Sequence, residues 1–518
     1  MCFARYVNWK NGWEQTLDKP IIRHDEEQQL TPLWLAIVRF GPAILLALFY
    51  VAVVLHFTYT PDDTYIYLQY AKNLANGNGF AFNAGTPSYG VTGPLWVLLI
   101  AAGARAGLDP FIVAKMFDIL FASLSVVLVY TVSATILRDR VYALLASAAI
   151  AADAWFLRWA GTGMETSFAV VLVLLAIKYA YSGDYHIAAF VTGLLTLVRP
   201  EGILLFLVVM AESSVMAFVL GRNRSMFWMA AGLYAVVIIP WLAFAHFHFG
   251  TIIPNTEFSK SAFHWSVRDV FGTFFDCVSI LCSTQLVLVL LLVGGFPYVI
   301  RKGGVGTLIA KGMPVVWMAL LVAGYALLNV EVISRYLVPL LPVIVIYALW
   351  SLKETALASG WTFRTSVTVA AVVVAATVVQ SQVVYSLRVV PHMKEFSEGM
   401  ELGIRPIAQW LREKSSPDAI VLTPNVGMIG YISDRRLFDT AGLITPAVKR
   451  SLEGASYDDA MRNGLYRKAV TPDYILDRAT VEGRLASDSL QTVMSTRFGG
   501  LSLKSGQTVY YTLYKVVR

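Results

Sequence analysis

Charge is scarce in this sequence. Asp, Glu, Lys and Arg make up 14% of its 518 residues, where a soluble domain carries about a quarter. So few charges cannot cover a water-soluble surface of this size. Cysteine is scarcer still. Cys2, Cys277 and Cys282 are the only three, which excludes a disulfide scaffold, and their spacing fits no metal-ligand motif. Cys277 and Cys282 sit at the edge of an apolar run, where inert buried thiols are expected. Repeats and low-complexity linkers are absent, which excludes collagen-like chains and intrinsic disorder. A continuous basic stripe is absent too. The net charge of +7 comes from short clusters between apolar runs, so the basic residues are orientation signals and nucleic acid is not a partner.

Hydrophobic residues, by contrast, reach 57% and aromatics 13%, and the mean hydropathy is +0.61. The chain is therefore expected to be a polytopic α-helical membrane protein. Residues 1–33 are polar and form a cytoplasmic segment. The first span, Trp34–Thr58, has no cleavage site after it and reads as a retained anchor. Its Arg39 snorkels back to the headgroups and Pro42 falls early enough to be tolerated. Residues 59–107 form an external loop, within which Pro94–Ala106 is apolar but too short to cross, so it lies in the interface or re-enters. Further spans are expected at Phe111–Leu137, Val141–Leu157, Thr166–Tyr181, Tyr185–Val198, Gly202–Leu220, Met226–Phe247, Val278–Ile300, Met313–Asn329, Tyr336–Leu352 and Thr365–Leu387, about eleven crossings in all. The inner turns carry Arg138 and Arg140, Arg222 and Arg224, Arg301, Lys302 and Lys311, and Lys353 and Arg364, as the positive-inside rule requires. An odd number of crossings then puts residues 388–518 outside. Short apolar runs and one helical stretch there predict a soluble extracytoplasmic α/β domain. The expected home is the bacterial inner (cytoplasmic) membrane.

The polar groups that hydropathy disfavours gather on one side. Pro61-Asp62-Asp63-Thr64-Tyr65, Gly161 to Thr166, Arg199-Pro200-Glu201-Gly202, Ile253 to Lys260 and Ser334-Arg335-Tyr336 all map outside, which points to an active surface at the outer leaflet. An arbitrary Asp-Asp pair is more often a helix start, and Thr60 and Pro61 suit one here. A capped helix start is also a rigid seat for a general base, and adjacent acids raise one pKa. Arg199, Arg335 and Lys260 lie at span ends, with Arg158 nearby. Each alone reads as snorkelling; together, interleaved with Glu165 and Glu201, they suit a clamp for a departing phosphate. His56, His246, His248 and His264 share no metal-type spacing. The glycines from Gly77 to Gly85 lack the strand-to-helix context of a phosphate loop.

The stretch Asp62-Asp63-Thr64-Tyr65-Ile66, Tyr70-Ala71-Lys72-Asn73-Leu74, Gly77-Asn78-Gly79-Phe80, Phe82-Asn83-Ala84-Gly85 and Gly90-Val91-Thr92-Gly93-Pro94-Leu95-Trp96 resembles the GT-C superfamily of membrane glycosyltransferases. Within it the likeness is to the branch containing the mycobacterial terminal arabinofuranosyltransferase. Thr162-Gly163-Met164-Glu165-Thr166, Arg199-Pro200-Glu201-Gly202, Pro254-Asn255-Thr256, Arg335-Tyr336 and Asp439-Thr440-Ala441-Gly442-Leu443 follow in the branch's order. Gly93 departs from the pattern, which often has Asn or Ser before the proline, so no role passes to it. The resemblance implies that residues 34–387 are a GT-C module, with a polyprenyl-phosphate sugar donor, inversion at the anomeric carbon and a catalytic acid from the pair. It also implies substrate contacts at Tyr65, Asn83, Trp96, Asn255 and Asp439. It leaves the sugar open, with arabinofuranose one candidate.

The expected activity is transfer of that sugar to a cell-envelope glycan or lipid acceptor on the outer face. Asp63, placed before Asp62, is the base. Arg199 and Arg335, with Lys260, hold the phosphate. Glu165 and Glu201 orient sugar hydroxyls or these cations, and apolar span walls hold the prenyl chain amid membrane lipid. A divalent cation at Asp62 and Asp63 is allowed by the chemistry but not required. The rival is a transporter or flippase for a lipid-linked sugar. It would need no base and would spread its charges through the spans. A structural subunit would explain the soluble domain but not the acid pair.

Overall fold

The computed structural model describes residues 32–56, 59–219, 221, 224–256, 266–454, 456–501 and 508–517. Residues 1–31, Arg222, Lys260 and His264 lie outside them, as does the side chain of Arg39. In chain order the helices are α1 (Pro32–His56), α2 (Asp62–Ala75), α3 (Pro94–Arg105), α4 (Pro110–Leu137), α5 (Arg140–Ala151), α6 (Ala154–Trp159), α7 (Thr166–Ser182), α8 (Tyr185–Val198) and α9 (Gly202–Ser214). Then come α10 (Arg224–Phe249), α11 (Val267–Thr307), α12 (Met313–Leu327), α13 (Ser334–Leu337), α14 (Leu341–Ala358), α15 (Phe363–Val384), α16 (Val390–Glu398), α17 (Arg405–Lys414) and α18 (Gly427–Ser433). Among the described residues five helices are long and apolar enough to cross a membrane, and seven shorter apolar ones accompany them.

The bundle is built around α14, whose residues from Leu341 to Ser351 are all buried. A helix that is apolar on every side belongs at a centre, and α4, α5, α11, α12 and α15 pack around it. Three elements differ from expectation, the first being the span expected at Val278–Ile300, which lies within the 41-residue α11. The span expected at Val141–Leu157 breaks, because the Asp153 carboxylate accepts from the backbone N–H groups of Trp155 and Phe156 at 2.9 and 3.1 Å and starts α6 anew. An aspartate that caps a new turn competes with the helix before it. The last span does not stop at Leu387. It runs on through π turns and α16 to the end of α17 as 52 continuous residues, about 78 Å at 1.5 Å per residue. That is far more than a bilayer's roughly 30 Å core, so the helix itself carries the chain to the sheet.

The sheet has five strands: β1 (Ile420–Thr423), β2 (Arg436–Asp439), β3 (Tyr474–Ala479), β4 (Leu490–Phe498) and β5 (Val509–Val516), in the order β2-β1-β3-β5-β4. β1 runs parallel to β2 and β3, while β5 is antiparallel to β3 and β4. The helix α18 makes the crossover from β1 to β2, and it docks on α2. The Asp62 carboxylate accepts from the N–H groups of Gly427 and Met428 at 3.1 and 2.8 Å. The side chain of Asn83 exchanges two hydrogen bonds with the backbone of Leu437, at 2.8 and 2.9 Å. Gly427 and Gly430 permit the approach. A Cβ on Gly427 would fall 2.1 Å from the Asp62 carbonyl oxygen, and one on Gly430 2.5 Å from the Phe82 ring.

Replacing Gly427 by alanine therefore pushes α18 off α2. The expected cost is about 1–3 kcal/mol, seen as a lower melting temperature in detergent and faster proteolysis between α17 and β2. A variant that melts and digests like the parent would refute this account of the joint.

Candidate active site

Pro61 is the residue before α2, and no side chain caps the helix. Thr60 does not fill that role; the first turn carries the two acids instead. Successive helical residues point about 100° apart, and the two carboxylates part company. Asp62 turns into the joint with α18. Burial pushes its carboxyl above the usual range and the Asp63 charge adds to the rise, while the Met428 and Gly427 N–H groups and Asn425 pull against it. Asp63 stays half exposed, and its Oδ2 lies 3.0 Å from Nη2 of the buried Arg335.

From Arg335 the charges continue inward. Its guanidinium packs against the rings of Trp159 and Tyr336, 5.8 and 5.4 Å from their centres, and Nη1 lies 3.8 Å from Met164 Sδ. The Arg335 carbonyl accepts from Arg199 Nη1 at 3.5 Å. Arg199 is flanked by Glu165 at 3.6 Å and Glu201 at 3.2 Å, and it also covers the Tyr336 ring at 5.1 Å. Tyr325 donates to the same Glu201 oxygen at 2.8 Å. Oε2 of Glu165 and Oε2 of Glu201 have no protein partner among the described residues. The ladder thus ends on two carboxylate oxygens able to accept from hydroxyl groups.

The chain brings Asp63, Arg335, Arg199, Glu165 and Glu201 together from four separate loops. The other candidates stand elsewhere. Trp96 is fully buried and donates to the Gly163 carbonyl at 3.0 Å. Asn255 donates to the carbonyls of Tyr89 and Leu443, at 2.8 and 3.1 Å. Asp439 is buried and accepts from the N–H groups of Leu443, Ile444 and Thr445. With Asn83, these residues spend their polar atoms on internal joints. Tyr65 faces a cavity of about 400 Å³ with Tyr59, Phe111, Glu401, Arg405 and Tyr431.

A divalent cation does not fit the acid pair as placed. Asp62 gives both oxygens to backbone N–H groups and Asp63 meets a guanidinium. Among the described residues no three His, Cys, Asp or Glu side chains gather as a ligand set.

The same fold occurs in solved structures. An ArnT from Cupriavidus metallidurans bound to undecaprenyl phosphate is 13% identical, the match covering 93% of this chain and 98% of that one, with a TM-score of 0.54. Its apo form is 14% identical over 91% and 98%, with a TM-score of 0.56. An oligosaccharyltransferase from Archaeoglobus fulgidus, in complex with zinc and sulfate, is 13% identical over 84% and 67%, with a TM-score of 0.54. The fold is of the GT-C type. The fold class expected from the sequence, a helical membrane bundle with a small C-terminal α/β unit, is the one observed. Residues 393–514 match a family described as a domain of unknown function, DUF8728. No curated protein sequence matches.

Sequence reasoning missed Asp118, in the middle of α4. Its carboxylate accepts from Thr162 Oγ1 at 3.1 Å, the Gly163 N–H at 2.9 Å and Ser167 Oγ at 2.5 Å. It holds the turn that presents Glu165. A lone acid inside an apolar span was the available signal, since such residues are rarely idle. Asp118→Ala should cost about 3 kcal/mol by orphaning buried donors, with Asp118→Asn intermediate because one acceptor remains. Melting in detergent decides it; an alanine variant as stable as the parent would remove Asp118 from this role.

Proposed function

We propose that the protein is an inverting glycosyltransferase that moves a sugar from a polyprenyl-phosphate donor to a glycan or lipid acceptor, at the outer face of the membrane. One observation carries the reading: Asp63, at a helix start, is held 3.0 Å from a buried guanidinium while remaining half open to the surroundings. The neighbours add to it, because the ArnT crystal holds undecaprenyl phosphate in a bundle of the same fold. The motifs of the first loop make arabinofuranose the sugar to try first. In this reading residues 1–33 are cytoplasmic, residues 34–387 form the membrane module and residues 388–518 the extracytoplasmic domain that helps select the acceptor.

The chemistry is a displacement at the anomeric carbon. Arg335 fixes Oδ2 of Asp63, leaving Oδ1 to accept the proton of the acceptor hydroxyl. The acceptor oxygen forms the new glycosidic bond from the face opposite the phosphate. The anomeric C–O bond to phosphate breaks, and its electron pair leaves with the prenyl phosphate. Glu165 and Glu201 hold Arg199, and through it the Arg335 backbone, in place. Asp62, spent on α18, orients the helix that carries Asp63.

Asp63→Asn keeps the size and removes the base, so sugar transfer in purified protein should fall about 10²–10⁴-fold. Asp62→Asn retains one acceptor for the joint and should lose about tenfold or less. Radiolabelled sugar counted on the acceptor tests both. Near-normal transfer by Asp63→Asn ends the assignment.

A further inference from the structure

The cavity beside Tyr65 takes no part in the charge ladder. Its walls come from the residues before α2, from α2 itself, from the start of α4, from the turn leading into α17 and from α18. Its volume of about 400 Å³ is that of an ordinary small-molecule site. Three rings supply its apolar part. Tyr65 stands 6.1 Å from Phe111 and 5.8 Å from Tyr431, centre to centre. Its polar part is a matched pair: Arg405 Nη2 donates to Glu401 Oε1 at 2.8 Å, and Nε donates to Oε2. Both side chains stay partly exposed. An exposed pair four residues apart on a helix adds little stability, so holding the fold together does not account for it. The segment that presents Glu401 is a π turn, Gly399–Ile404, and such turns recur at functional sites. The sheet holds this one in place. Thr496 Oγ1 donates to the Gly403 carbonyl at 2.7 Å, and a Cβ on Gly399 would fall 2.7 Å from the Phe498 ring.

The lining selects the class of ligand. One guanidinium faces two carboxylates, Glu401 and Asp109, so phosphates and other anions are disfavoured. A cation would find Glu401 taken by Arg405, and Asp109 accepting from the Phe111 N–H at 2.7 Å. An alkyl chain would cover the charged pair without replacing its water. A neutral sugar suits all of it. Its C–H faces can lie on the rings, and its hydroxyls can both donate to a carboxylate and accept from a guanidinium. The cavity is near the base without containing it. Thr60 and Tyr65 line it and Asp63 does not. Thr60 precedes Asp63 by three residues, at most about 11 Å of chain. The Tyr59 ring at its wall packs on Trp159 at 5.9 Å, and Arg335 lies 5.8 Å from the centre of that same Trp159 ring. We propose that this cavity binds one sugar unit of a neutral glycan acceptor, away from the hydroxyl that reacts, so that the acceptor is an oligosaccharide or longer glycan held at two points. The proposal rests on the glycosyltransferase reading for the reaction and deepens it by choosing a glycan over a lipid as acceptor.

Calorimetric titration of the purified full-length protein, in a detergent without a sugar headgroup, tests it. The probes are arabinofuranose, mannose and glucose, each as the free sugar and as its linear hexasaccharide. At least one hexasaccharide should bind the parent about tenfold or more tightly than its free sugar. Tyr431→Ala should weaken that hexasaccharide about tenfold. Glu401→Gln, a size-conserving change at an exposed position, should weaken it about three- to tenfold and decides the matter should the alanine variant not fold. Inorganic phosphate and a prenyl alcohol should not compete. In transfer assays the same variants should raise KM for the hexasaccharide by the same factors and leave kcat unchanged. A parent that binds no hexasaccharide, displacement of the hexasaccharide by the alcohol, or full affinity in the folded variants overturns the proposal. Binding that the variants lose, in a parent that transfers no sugar, upholds the glycan site and refutes the glycosyltransferase reading. Sugar transfer to a lipid by a parent that binds no hexasaccharide does the reverse.

Discussion

The ladder of charge from Asp63 through Arg335 and Arg199 to Glu165 and Glu201 is the constraint on which the site depends. Charges removed from water are tolerable only while each has its counterpart. Taking away one member strands another in a low-dielectric setting, at a cost of about 3–5 kcal/mol. The ends of α2, α7, α9 and α13 are therefore fixed relative to one another by electrostatics as well as by packing. Such a ladder need not add net stability over an apolar core of the same shape, since desolvation offsets most of the attraction. What it provides is a fixed direction for Asp63, with buried carboxylate oxygens at the far end.

Adjacent residues divide the work at the start of α2. Asp62 turns to α18 and anchors the sheet unit by its two backbone hydrogen bonds. Asp63 turns to Arg335. A helix turns its side chains by about 100° per residue, so two neighbouring acids serve two partners without competing. The same device appears at Asn83, whose amide pairs with the edge strand β2 like an added strand residue. The loop that carries the acids and the C-terminal unit are thereby a single mechanical piece. A shift of the sheet would therefore move Asp63.

Much of the architecture was readable in the chain. Apolar runs placed nearly every helix, and Tyr185–Val198 matches to the residue. The break after α5 was not read, because Asp153 fell inside the apolar run Val141–Leu157; only its capping of Trp155 and Phe156 shows why the helix restarts. The 52-residue run to Lys414 was not read either, since proline and charge near Arg388 resemble a boundary when neighbours are unknown. Asn83, Trp96 and Asp439 drew notice as polar or aromatic groups in ordered motifs, yet their atoms face other parts of the same chain. Motif order alone cannot separate a joint from a contact surface.

Composition and periodicity by themselves determined that this is a helical membrane protein with a small α/β unit. Hydrophobic burial is set by residue type and spacing, and both are local. The pairing of Arg335 with Asp63 and the double bracketing of Arg199 were decided only by tertiary structure. An ionic interaction depends on separation and surrounding dielectric, and residues 63 and 335 meet only once the bundle has brought two distant loops to the same end.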